Sequence, residues 1–310
     1  MQRKILAAVD GSVYSSNILH YLGRLFEGQR DFLLHLLYIV PGGSLGSGRE
    51  WLDELEILTM LKPEARDRYA AAGRYLQNAT QQLGRLGIAP EQITTQVQLS
   101  RVDVAGDILN EARKGLYDAL VIGRRGLSKL EELVIGSVST SILDKCHDVP
   151  LWIVDGQVDS RRFLLPVDGT PHSLKAIDHL CFILKDNPHA EVTLFNSPAM
   201  FAHKPEIVPQ NFYEQWGKEW CDLHLSGPDS LFHAPEQLLL ESGFPAARIH
   251  RLYTRLGLYP SRQIVRQALI DDFGTIVIGR RGAEAKKGIF KGVSDQVLYM
   301  AEKVAIWIVG

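Results

Sequence analysis

Short apolar runs alternate with helix-like segments along the chain. In the first half, five runs predict β-strands, because each is short, apolar and bounded by turn residues or a helical pattern. These runs are Ile5–Val9, Phe32–Val40, the weaker Val97–Leu99, Ala119–Ile122 and Leu151–Val154. Between them, apolar residues at helical spacing predict helices around 18–26 and over 63–86, 104–114 and 138–145. This alternation is typical of βαβ units around a parallel sheet.

The second half repeats the first. The segment KILAAVDGS at 4–12 is similar to RFLLPVDGT at 162–170, and ALVIGRRG at 119–126 returns as TIVIGRRG at 275–282. Five strands are again predicted, at Phe163–Val167, Glu191–Phe195, Ile249–Tyr253, Thr275–Ile278 and Ala305–Val309. The nearly constant separation of matching blocks indicates a tandem duplication. A polar segment at 155–161 sets the predicted domains at 1–157 and 158–310.

Composition narrows the class of protein. The 310 residues suit two domains, and 45% hydrophobic with 23% charged residues is ordinary for a globular protein. A net charge of -2 gives no electrostatic footprint for DNA or RNA, so no nucleic-acid partner is expected. Cys146, Cys181 and Cys221 lack the spacing of zinc, redox or disulfide sites, so free thiols are expected. Without a secretory leader or a long apolar run, the protein is expected to be cytoplasmic and not membrane-bound.

A glycine-rich loop follows the fourth predicted strand. Gly123-Arg124-Arg125-Gly126 is separated by nine residues from Gly136-Ser137-Val138-Ser139. Glycines let backbone N–H groups approach a ligand, and Ser137 would start a helix whose first N–H groups attract phosphate. The pattern Gly-x2-Gly alone is also a common strand-to-helix turn, and the Gly-Lys-Ser/Thr ending of a P-loop is absent.

Together, ILAAVDGS, ALVIGRRG and the spacing Gly-x2-Gly-x9-Gly-Ser resemble the universal stress protein family, and their duplication resembles its tandem members. The resemblance implies an α/β fold of two flavodoxin/Rossmann-like (adenine nucleotide alpha hydrolase-like) domains. Each would be a five-stranded parallel sheet of order 3-2-1-4-5 with helices on both faces. It also implies a stress-response sensor or regulator that binds ATP or AMP, and Asp10 or Asp168 could hold an accompanying Mg²⁺.

The resemblance further implies nucleotide contacts in the first domain. Asp10 would lie near the adenine, which Ile39 and Val40 would contact through their backbone groups. Ribose and phosphates would lie on the glycine loop and the residues after it. Those residues are Gly123, Arg124, Gly126, Gly136, Ser137, Val138 and Ser139. Local alternatives stay open, because Asp10 could cap the first helix and the serines could be ordinary N-cap residues.

The second domain departs from this pattern. Val293 follows Gly292, and aligning Val293-Ser294 with Val138-Ser139 deletes the equivalent of Ser137. One hydroxyl and one N–H position are thereby lost. We therefore expect an intact first site and a degenerate second one. The weaker second-domain contacts would be Asp168, Gly279, Arg280, Gly282, Gly292 and Ser294.

Other candidate chemistry is sparse. No nucleophile elbow and no metal-binding motif is present, so neither catalytic nor metal-ligating residues are assigned. Three histidines of the second-domain insertion are predicted at the surface: His203, His224 and His233. Arg124 and Arg125 could contact phosphate or pair with a carboxylate such as Glu131.

Two alternative functions and several partners stay open. One alternative is an interaction scaffold that binds no nucleotide, and the other is a slow ATP hydrolase. The short apolar fifth strands would invite aggregation if uncovered, so they are expected to pair with each other as an intramolecular pseudo-dimer. A homodimer and an unknown protein partner are further hypotheses.

Overall fold

The computed structural model describes residues 2–41, 56, 59–60, 62–101, 103–124, 136–185, 187–197, 207–254, 257–280 and 292–310. The chain divides into two compact units, Met1–Gln157 and Val158–Gly310. Each unit combines a parallel sheet with helices, which confirms the predicted α/β fold class. Across the described residues, no helix has the length and apolar character that crossing a membrane requires.

The first unit contains five strands and four helices of defined length. The strands are β1 (Arg3–Ala8), β2 (Phe32–Val40), β3 (Ile93–Leu99), β4 (Ala119–Gly123) and β5 (Leu151–Val154). The helices are α1 (Val13–Leu25), α2 (Pro63–Arg85), α3 (Val104–Lys114) and α4 (Ser137–Lys145). All neighbouring strands pair in parallel, in the order β3-β2-β1-β4-β5, which confirms the strand order that the family resemblance implied.

The second unit repeats this arrangement with a longer insertion after its second strand. Its strands are β6 (Arg162–Pro166), β7 (Glu191–Asn196), β8 (Ile249–Tyr253), β9 (Thr275–Gly279) and β10 (Ala305–Val309). Its helices are α5 (Pro171–Leu184), α6 (Tyr213–Trp216), α7 (Lys218–Leu225), α8 (Ser230–Glu241), α9 (Pro260–Ile270) and α10 (Val293–Met300). The parallel order β10-β9-β6-β7-β8 is the same topology as in the first unit.

Strand β3 begins at Ile93, earlier than the predicted Val97. Its backbone pairs with β2 from Leu34 and Ile93 to Val40 and Leu99. The early part of β3 reads Ile-Thr-Thr-Gln, and its side chains are largely exposed because the strand lies at the edge of the sheet. An edge strand needs little apolar sequence, so backbone pairing extends it beyond the apolar run.

The topology creates a crevice between β1 and β4. The chain moves from β1 to β2 and β3 in one direction and returns to β4 and β5 in the other. Right-handed crossovers then put α1 and α2, which pack together, on one face, and α3 and α4 on the other. The order therefore reverses between β1 and β4. The carboxyl ends of strands at such a switch point are where open α/β sheets bind ligands.

Candidate functional site

Asp10 lies in the turn between β1 and α1. Its Oδ1 atom accepts hydrogen bonds from the Ser12 N–H at 3.0 Å and from the Ser15 hydroxyl at 2.7 Å. The N-cap of α1 is Ser12, whose side chain accepts from the Ser15 N–H. Gly11 has a φ of 77°, a conformation that glycine adopts without strain. Asp10 thus orders the turn at the switch point, while the helix cap considered for it belongs to Ser12.

Two tyrosines that the sequence analysis missed lie over this turn. The Tyr38 hydroxyl of β2 donates to the Asp10 carbonyl at 3.0 Å. Tyr75 of α2 packs edge-on against Tyr38, with ring centroids 5.9 Å apart. Burial raises the pKa of both phenols, that of Tyr75 to about 12, and the Asp10 charge raises the pKa of each further. Both remain neutral near pH 7 and place aromatic rings beside a carboxylate.

Ile39 and Val40 at the end of β2 are buried. Val40 packs with Ala72 and Leu99 in a small apolar cluster. Its carbonyl accepts a hydrogen bond from the Ser100 N–H at 3.0 Å. The side chains therefore belong to the core, which leaves backbone groups as the means by which this turn could contact a ligand.

Hydrogen bonds join the two ends of the glycine loop. Gly123 is the last residue of β4, and its carbonyl accepts from the Ser139 hydroxyl at 2.8 Å. The Gly136 N–H donates to the Arg124 carbonyl at 3.0 Å. These bonds hold the start of α4 against the end of β4. Gly126 lies among residues 125–135, outside the described part of the chain.

The N-terminus of α4 is not capped by a side chain. Gly136 is its N-cap residue, and the first turn contains no acidic residue. The N–H groups of Ser137, Val138 and Ser139 precede the first intrahelical bond, from the Thr140 N–H to the Gly136 carbonyl at 2.8 Å. Other helices that follow strands have side-chain caps, at Ser12, Asp103 and Thr170. An uncapped start presents N–H donors and the positive end of the helix dipole to an anion.

Arg124 is held inside the first unit by an ion pair. Its side chain is 1% exposed, and its Nη1 atom lies 3.1 Å from Oδ2 of Asp155, which is 16% exposed. Its backbone N–H donates to the Val154 carbonyl at 3.0 Å. The guanidinium expected at a phosphate, or at a carboxylate of the loop, therefore links the start of the loop to the residue after β5.

The equivalent turn of the second unit is built differently. Asp168 is exposed, and its Oδ1 atom accepts from the Thr170 N–H at 3.0 Å and from the Thr170 hydroxyl at 2.7 Å. A Cβ atom at Gly169 would lie 2.9 Å from the Ile207 side chain and 3.6 Å from that of Leu231. Apolar side chains from the insertion therefore lie over this turn, where the first unit has two tyrosines.

Helix α10 begins one residue later than α4 relative to its buried face. That face is formed by Ser294, Val297 and Leu298 in α10, and by Ser139, Ile142 and Leu143 in α4. Each helix starts directly after its glycine N-cap, but α10 has 8 residues and α4 has 9. The buried faces thus give the same register as the sequence alignment that deletes the Ser137 equivalent.

Charge and loop ends also differ at this second site. Asp295 lies in the first turn of α10, and its Oδ2 atom is 4.0 Å from the position of a Cβ at Gly292. This carboxylate occupies the positive end of the helix dipole that α4 leaves open. Arg280 is buried, and its N–H donates to the Val309 carbonyl at 2.6 Å. Gly282 lies outside the described residues.

Gly279 has a packing role that predicts a measurable cost of substitution. A Cβ atom there would overlap the backbone carbonyl of His172 at the start of α5. We expect Gly279→Ala to lower the free energy of unfolding by about 1–3 kcal/mol through overpacking. The control Gly292→Ala, whose Cβ would be 3.8 Å from the nearest Ser294 atom, should cost less than about 1 kcal/mol. Urea denaturation followed by circular dichroism measures both, and equal losses would contradict this packing role.

Two histidines expected at the surface form a contact instead. Nδ1 of His224 in α7 lies 3.0 Å from Nε2 of His233 in α8, and Nε2 of His224 lies 3.8 Å from Glu241. Burial is the main reason why the pKa of His224 is lowered. Their spacing in sequence did not indicate that the two helices pack together. In the described part of the chain, no three His, Cys, Asp or Glu side chains are grouped to hold a metal ion.

Known proteins resemble this chain in sequence and in fold. Residues 1–155 match the Universal stress protein family. The universal stress protein YxiE of Bacillus subtilis (strain 168) is 30% identical over 159 residues, which cover 50% of this chain and 99% of that protein.

Solved structures extend the likeness in fold to both units. A universal stress protein from Archaeoglobus fulgidus DSM 4304 matches with a TM-score of 0.64 and 18% identity, covering 99% of this chain and 97% of its own. A functionally unknown protein from Pseudomonas aeruginosa PAO1 matches with a TM-score of 0.56 and 13% identity, covering 99% and 92%. At these identities the structures support the fold alone.

Proposed function

This chain belongs to the universal stress protein family, and we propose that its first unit binds an adenine nucleotide, ATP or AMP. The protein would act as a stress-response sensor or regulator through that binding. The observation that carries the proposal is the uncapped N-terminus of α4, which lies against the end of β4 at the switch point of the sheet. Dipole, N–H donors and topology all favour a phosphate there.

The phosphates would bind at the start of α4. The N–H groups of Ser137, Val138 and Ser139 are the proposed donors, and the exposed Ser137 hydroxyl is a further one. Gly123 and Gly136 bring the backbone close to the ligand, and Gly126 would complete the loop. Hydrogen bonds to a charged group contribute more than neutral ones, so these donors would supply much of the affinity.

The adenosine would bind over the ends of β1 and β2. Tyr38 and Tyr75 supply aromatic surface beside the Asp10 carboxylate, and Gly11 between them carries no side chain that would fill the space. Backbone groups of Ile39 and Val40 are the proposed contacts to the base. Aromatic rings, a carboxylate and backbone groups suit a flat, hydrogen-bonding ligand such as adenine.

The second unit is proposed to bind nucleotide more weakly. Its helix α10 lacks one N–H position, and Asp295 places a carboxylate where a phosphate would bind. Ile207 and Leu231 lie over the turn at Gly169. Losing one hydrogen bond to a charged group costs about 1.5–3 kcal/mol, or roughly tenfold to hundredfold in affinity. The apolar cover favours the scaffold function for this unit.

Release of bound nucleotide from freshly purified protein tests the proposal. We expect denaturation to release about one adenine nucleotide per chain, identified by mass spectrometry, because one site is intact. Gly136→Val should remove it, since the valine side chain would cover the first-turn N–H groups. Gly292→Val is the matched control, because both glycines are N-caps with extended backbone, and it should retain the nucleotide.

Two outcomes of this experiment would count against the site. Equal loss in both variants would show that the effect is not specific to the first unit. Absence of released nucleotide, followed by absence of binding when ATP is titrated with and without Mg²⁺, would leave the scaffold function as the better explanation.

A further inference from the structure

Helices α9 and α10 form a shallow apolar groove on the second unit. Its volume is about 590 Å³. It is lined by Arg262, Val265, Arg266, Leu269, Ile270 and Met300. Leu269 is 60% exposed, Ile270 62% and Met300 37%. Several large apolar side chains exposed side by side are typical of a binding surface, whereas single ones are ordinary.

The first unit provides an internal reference for this surface. Helices α3 and α9 each have 11 residues, and in matching positions Arg113 and Lys114 of α3 correspond to Leu269 and Ile270 of α9. In the first unit, Arg113 pairs with Asp148 at 2.8 Å. The fold therefore accepts charged residues at this corner. The apolar residues of α9 are not required by the architecture, and a binding role accounts for them.

The charges along the groove restrict what can bind there. Arg262 and Arg266 are exposed and four residues apart, so they lie on the same side of α9. The Arg262 guanidinium lies 4.9 Å from the centre of the Tyr259 ring, which helps to orient it. The residues that line the groove include no carboxylate. Two copies paired symmetrically through this groove would bring arginines together without acidic partners, which disfavours self-association.

We propose that the α9–α10 groove docks an acidic amphipathic helix of a partner protein. Its apolar side chains, at positions i, i+3, i+4 and i+7, would pack on Leu269, Ile270 and Met300. Carboxylates along its margin would pair with Arg262 and Arg266, for which the arginine fork is well suited. This surface is independent of the nucleotide site and gives the second unit a function of its own.

A pair of labelled synthetic peptides tests the proposal on the full-length protein. The first is an amphipathic helix of about 18 residues, or five turns, with leucines at i, i+3, i+4 and i+7 and glutamates along the margin. The second carries lysines in place of the glutamates. Fluorescence anisotropy should give the acidic peptide an affinity at least about tenfold higher, and added salt should reduce the difference.

Variants locate the binding to the groove. The double variant Leu269→Arg/Ile270→Lys installs the residue types of the first unit and should weaken binding of the acidic peptide by about tenfold or more. The control is Leu223→Arg, because Leu223 is 72% exposed in the same unit but does not line the groove. It should bind as the parent does, and the melting temperatures of all three proteins should be similar.

Each contrary result identifies a different error. Equal binding of the two peptides, or binding of neither up to the solubility limit, would overturn the proposed partner chemistry. Equal weakening by Leu223→Arg would overturn the location. Sedimentation that shows a dimer converted to a monomer by the double variant would identify a second copy of the chain as the occupant and overturn the proposal.

Discussion

Ser137→Asp is expected to lower the affinity for ATP by about a hundredfold while leaving the fold slightly more stable. Ser137 is exposed in the first turn of α4, a helix with neither a side-chain cap nor an acidic residue at its start. A carboxylate there would interact favourably with the helix dipole, by about 0.3–1 kcal/mol at an exposed site. The same charge would repel the phosphates that we propose for this position.

The opposite signs of the two effects make this experiment informative. A variant that binds poorly because it is misfolded would show a lower melting temperature, whereas here the melting temperature should stay the same or rise. Calorimetric titration of nucleotide-free protein with ATP measures the affinity, and thermal unfolding measures stability. Ser137→Asn is the neutral control of similar size and should lose less than about tenfold. Wild-type affinity in Ser137→Asp would place the phosphates elsewhere.

Asp155→Ala is expected to reduce the stability of the first unit by about 3 kcal/mol. The Arg124 guanidinium is 1% exposed, and removing the carboxylate that pairs with it leaves a buried charge without that compensation. Arg124→Met should cost less, because the Asp155 carboxylate that remains is 16% exposed and has access to water. The charge that stays behind, more than the bond itself, sets the size of each effect.

A double-mutant cycle measures this coupling. Urea denaturation of Asp155→Ala, Arg124→Met and the double variant gives the three changes in unfolding free energy. We expect the double variant to be close to Arg124→Met alone, since its apolar side chain leaves no buried charge. Additive losses, or a smaller loss in Asp155→Ala than in Arg124→Met, would contradict a stabilising role of this ion pair at the start of the glycine loop.

The two units use one fold for different chemistry. At the start of the helix after the fourth strand, the first unit has open N–H groups and the second has Asp295. On the helix before that strand, the first unit has Arg113 and Lys114 and the second has Leu269 and Ile270. We interpret this divergence as a division of labour, in which the first unit binds nucleotide and the second presents a docking surface.

Sequence alone was enough for the elements and their repetition. Phe32–Val40, Leu151–Val154 and Val104–Lys114 have the same bounds in the predicted elements and in the structure. Apolar runs and helical spacing are local properties of the chain, so the periodicity of side chains along a strand or helix is readable from neighbouring residues. The strand order came from the motifs of a family, because periodicity does not determine which strands are neighbours.

Tertiary structure alone decided the contacts around the site. Tyr75 lies beside Tyr38 because α2 packs over β2, and Arg124 pairs with Asp155 because β4 and β5 are adjacent. Likewise, β3 extends to Ile93 through pairing with β2 rather than through its own apolar pattern. Each of these features joins residues that are distant in sequence. Burial, ion pairing and the space left for a ligand depend on which elements pack together, and the local pattern of polar and apolar residues does not contain that information.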